Sequence, residues 1–97
     1  MAEPVEGGWR TLAFPREEAW VVHAALLERV RSAVESGDDS EGYPELDALT
    51  AIETGREQFA PDETNVIRDA LESYLMRAPP RDLTPGRAAL RRTATGQ

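Results

Sequence analysis

The chain has 97 residues, 40% of them hydrophobic, so it can build one modest core and no more than one domain. Eighteen acids face eleven bases, a net charge of -7. With no cysteine and a single histidine, disulfides, iron–sulfur clusters, thiol catalysis and multi-histidine metal sites within one chain are excluded. No apolar run approaches the roughly 18–20 residues of a membrane span, and the start lacks the charged-then-apolar pattern of a signal peptide.

Residues 1–8 carry a proline, two glycines and two acids and read as a flexible lead-in. Trp9 to Phe14 is a short apolar-rich run with Leu12 and Phe14 two apart, the period of a brief strand. Pro15 then suits the first position of a helix, and Glu17 and Glu18 follow where carboxylates favour the positive end of the helix dipole. The first helix is predicted over about Pro15 to Glu35. Its apolar arc holds Ala19, Trp20, Val22, His23, Leu26, Leu27, Val30, Ala33 and Val34, while Val21 falls on the polar side. Gly37 suits the left-handed stop, and residues 38–42 form a polar loop.

Pro44 opens a second, shorter helix with a narrow stripe of Leu46, Leu49 and Ile52, ending near Thr54-Gly55. A second brief strand is expected around Phe59. Pro61-Asp62-Glu63 repeats the earlier opening, and a third helix follows to about Arg77 with Val66, Ile67, Ala70, Leu71, Tyr74, Leu75 and Ala78 on its buried side. Ala60 is a weak cap, so this helix is expected to fray at its start. Pro79-Pro80 stops it. Thr84-Pro85 opens a short fourth helix to about Arg92, and the last five residues should fray.

The fold class is therefore mainly α: a three-helix domain, with two very short strands preceding the two long helices and a short C-terminal fourth helix. The two strands are expected to lie side by side. The expected division is a flexible segment at 1–8, one helical domain at 9–78 and a Pro/Arg-rich extension at 79–97. Trp20, Phe59 and Tyr74 are expected in the core.

All eleven bases are arginine. Abundant acids without lysine suit concentrated brine, where a Debye length of about 3 Å quenches repulsion between surface carboxylates. The composition points to the cytoplasm of a salt-accumulating cell. Charge is uneven: residues 1–72 hold 17 acids and 6 arginines, whereas residues 73–97 hold five arginines against Asp82 only. Arg87, Arg91 and Arg92 are the candidate basic contact. About four phosphate contacts give a salt slope near -3.6, so nucleic-acid binding by this end would collapse in molar salt. Docking on another protein surface fits better.

His23 sits within the first helix's apolar arc. It could serve as a proton switch or as a ligand shared across a dimer axis. The plainer reading is a half-buried histidine bonded to a carbonyl or carboxylate, and the absence of a nearby nucleophile or second ligand favours it. Asp38, Asp39 and Glu41 lack the spacing of a calcium loop. No phosphate loop, dinucleotide turn or nucleophile elbow is present, so no catalytic residue, cofactor or metal site is predicted and the chain is not expected to be an enzyme.

Two wide amphipathic arcs bury each other incompletely at this size, and a symmetric homodimer is the natural remedy. The candidate interface is Trp20, His23, Leu27 and Val30. The expected function is a homodimeric protein-interaction or regulatory module, with a nucleic-acid-associated protein as the alternative.

Through Phe14-Pro15-Arg16-Glu17-Glu18-Ala19-Trp20 and His23-Ala24-Ala25-Leu26-Leu27, the chain resembles a family of small haloarchaeal proteins of unknown function. A second strand–turn–helix, here Arg56 to Leu75, completes the resemblance, which spans about residues 11–78. It implies a halophilic cytoplasmic setting and supplies no catalytic residues.

Overall fold

The computed structural model describes residues 9–37 and 44–95. The expected lead-in at 1–8 and the polar loop at 38–42 lie outside them. Six elements follow in order: β1 (Arg10–Thr11), α1 (Arg16–Glu35), α2 (Pro44–Thr54), β2 (Gln58–Phe59), α3 (Pro61–Leu75) and α4 (Pro80–Thr95). The chain is mainly helical, as its apolar periodicity requires.

β1 and β2 pair antiparallel, Arg10 opposite Phe59 and Thr11 opposite Gln58. Leu12 N–H extends the ladder by donating to Glu57 O at 2.8 Å. This clip carries Phe14 onto Phe59, edge to face, with ring centres 6.2 Å apart. Both chain reversals into long helices therefore start from one point of the core.

Proline begins α2, α3 and α4, where its missing N–H costs nothing. α1 ends before Gly37 and α2 before Gly55, whose φ values of +84° and +78° are left-handed and favour glycine. α3 does not fray at its weak cap. Glu63, almost fully buried, accepts a hydrogen bond from Ala60 N–H at 2.8 Å and another from Arg56 Nη2 at 2.6 Å. The Thr64 hydroxyl donates to Ala60 O. Arg56 also lies over the rings of Trp9 and Phe59, at 6.0 and 5.6 Å from their centres. Glu63 thus satisfies the N–H of the cap residue, and Asp62 Oδ1 accepts from Glu63 N–H at 3.0 Å, the first-turn donor that Ala60 has no side-chain oxygen to meet.

The core is formed by Leu12, Val21, Val22, Ala25, Leu26, Ala48, Leu49, Ala51, Phe59, Ile67, Ala70, Leu71 and Ala89. Burying each large side chain contributes about 1.5–3 kcal/mol. α1 touches α2, α3 and α4, and this corrects two expectations.

The first concerns α4. It runs sixteen residues, from Pro80 rather than Thr84, with Pro85 inside it. Pro79-Pro80 both stops α3 and starts α4. The segment after 78 is a full member of the bundle, not an appended extension: Ala89 and Thr93 are fully buried. The Thr93 hydroxyl donates to Leu90 O at 2.7 Å, and Arg10 Nη1 donates to Thr93 O, tying α4 to β1. Gly86 lets α4 approach closely, since a Cβ there would meet the side chains of Leu75 and Val21.

The second concerns the rotation of α1. Its buried residues are Glu18, Val21, Val22, Ala25 and Leu26. Val21, expected on the polar side, is turned in because α4 covers that side. Trp20, expected in the core, is turned out and 66% exposed. Phe59 is fully buried as expected, and Tyr74 is half-buried against the core.

Candidate functional site

With α3 and α4 occupying the inner side of α1, an outer stripe remains. Arg16, Trp20, His23, Leu27, Val30 and Val34 follow one another at spacings of four, three, four, three and four residues. That alternation keeps six side chains on one narrow face of the helix. The stripe lies roughly opposite Val21 and Ala25. Trp20 and Val34 are largely exposed, at 66% and 55%, while His23, Leu27 and Val30 are half-buried, His23 beside Glu53 of α2 and Leu27 against the core. Each of the expected interface residues lies on it.

Beside Trp20 the stripe opens into a groove of about 350 Å3 between α1 and α2, lined by Arg16, Ala19, Trp20, His23, Ile52 and Glu53. The indole and the imidazole meet edge to face, with ring centres 6.3 Å apart and planes at 73°. His23 Nε2 lies 3.0 Å from Glu53 Oε2. A carboxylate can only accept, so the imidazole N–H donates. The histidine is therefore held by a carboxylate, the plainer of its two expected roles. Arg16 has no ion pair among the described residues, and α1 has no basic residue in its last turn.

Sequence reasoning missed Arg16 and Glu53 as members of this site. Arg16 sits in a run of charges like any solvated helix start. Glu53 comes from α2, thirty residues from its partner, and nothing local marks it.

The basic trio is divided. Arg87 and Arg91 are exposed on α4, but Arg92 is half-buried and turned toward Glu18. Its Nε donates to Glu18 Oε1 at 2.6 Å and its Nη2 to Oε2 at 3.3 Å. That two-point bond to Glu18 holds the Arg92 guanidinium above its ordinary pKa. The trio therefore does not present a continuous cationic face.

Among the described residues, no three metal-ligating side chains cluster, and no helix is long and apolar enough to cross a membrane. The site offers an exposed aromatic, a seam of half-buried aliphatics and charges at its edges. No curated protein and no solved structure matches the chain. The match of a family model from residue 12 to residue 94, which takes in β2, the outer stripe of α1 and nearly all of α4, shows that the chain belongs to the family described as Family of unknown function (DUF7853).

Proposed function

We propose that the protein is a small non-catalytic interaction module that works as a homodimer, docking through the outer stripe of α1. The single observation that carries this reading is Trp20, 66% exposed at the head of an apolar seam on the longest helix. Indole is the side chain most enriched where a partner buries a pocket-filling anchor. Its intramolecular neighbours leave it uncovered, so its burial is available as binding energy. The half-buried Leu27 and Val30 extend the same face. The lysine-free, acid-rich composition supports a cytoplasmic setting at high salt, where surface repulsion between copies is screened.

The test is the mass in solution at tens of micromolar chain in molar KCl, by light scattering. The parent should be a dimer. Trp20→Asp should be a monomer with unchanged helical circular dichroism, because the side chain takes no part in the core. A monomeric parent refutes the reading.

A further inference from the structure

We infer that α1 is met by α1 of a second copy, antiparallel and in nearly full overlap. The inference rests on the homodimer reading and adds orientation and register to it.

The spacing argues first. From Arg16 to Val34 the seam advances eighteen residues in five steps, an average of 3.6 that keeps it on one face of a straight helix, with alternating steps of four and three like those that hold paired helices in contact. Its best complement is another helix of the same repeat, and every copy of the chain carries one on its surface.

Charge decides orientation. A parallel pair stacks Arg16 on its own counterpart and brings like dipole ends together. An antiparallel pair sets Arg16 against the other copy's C-terminal turn. There the carbonyl ends of α1 and the exposed Glu35 have no basic residue from their own last turn. A cation at that end of a helix is stabilising.

Size supports one register. With Arg16 beside Val34 of the other copy, Trp20 faces Val30 and His23 faces Leu27. Large side chains then alternate with smaller ones across the seam, as interdigitating layers require.

The absence of cysteine allows a clean test, because one introduced thiol carries one nitroxide label. Glu17 is exposed and just off the seam, and Ala24 lies near its middle. Glu17→Cys and Ala24→Cys are labelled separately and their interspin distances measured by pulsed dipolar spectroscopy in molar KCl. In the inferred register the two copies of position 17 lie about 24 Å apart along the axis, and those of position 24 about 3 Å. The distance at 17 should therefore exceed that at 24 by about 10–20 Å. Equal distances in a dimer overturn the antiparallel arrangement and leave the homodimer standing. A monomer without dipolar signal overturns both.

Discussion

Glu18 and Arg92, seventy-four residues apart, form a two-point ion pair at 2.6 and 3.3 Å that joins the first turn of α1 to the last turns of α4. The carboxylate is nearly buried, while the guanidinium keeps part of its surface in water. A nearly buried acid at a helix start is compensated twice, by the helix dipole and by a fixed cation. The pair closes the bundle at the end where β1 also grips α4 through Arg10.

Removing α4 should therefore cost the whole fold. A chain ended at Ala78 leaves Glu18 without its cation and opens Val21 and Leu75 to water. We expect loss of a cooperative thermal transition by circular dichroism in molar KCl. A truncated chain that melts as sharply as the parent would contradict the packing role of α4.

Gly86→Ala sets propensity against packing. Alanine favours a helix over glycine by about 1 kcal/mol. The added methyl, however, meets the Leu75 side chain and comes within 3.2 Å of Val21 Cγ1. Overpacking of this kind costs about 1–3 kcal/mol, so the balance is a net destabilisation of about 1 kcal/mol. Urea unfolding measures it, and a stabilised variant would show that Leu75 yields freely.

The Tyr74 hydroxyl donates to Asp82 Oδ2 at 2.7 Å across the α3–α4 turn. That bond, then partial burial and the negative charge of Asp82, raise the phenol above its ordinary pKa of 10.0. The folded state thus holds this proton more tightly than the unfolded chain. Its stabilising effect is complete below pH 10 and disappears as pH rises through the folded value. In a Tyr43→Phe background, phenolate absorbance should appear at higher pH in the folded protein than in urea. Asp82→Asn should shrink the difference.

The net charge of -7 predicts a salt response. Screening relieves repulsion among carboxylates that the fold holds close. The melting temperature should rise between dilute buffer and molar KCl. A flat or falling trend would remove the argument for a brine environment.

The helices were legible because their signals are local. Proline fixes φ at a helix start, glycine accepts positive φ at its end, and apolar residues return every three or four positions. These marked the bounds of α1, α2 and α3 closely, and Phe59 as core. The outer stripe of α1 was legible too, since Trp20, His23, Leu27 and Val30 share a face whatever lies around them. What those residues face was not. α1 is apolar over more than half its circumference, so the wheel does not say which side is inward. Only the arrival of α4, held by Gly86 against Val21 and by Arg92 against Glu18, decides it. Those contacts join residues more than sixty positions apart, and no spacing along the chain encodes them. Composition and periodicity thus settled which segments are helical and which faces are apolar. The tertiary structure chose which face of α1 joins the core and which stays at the surface, because burial depends on how many neighbours surround a helix.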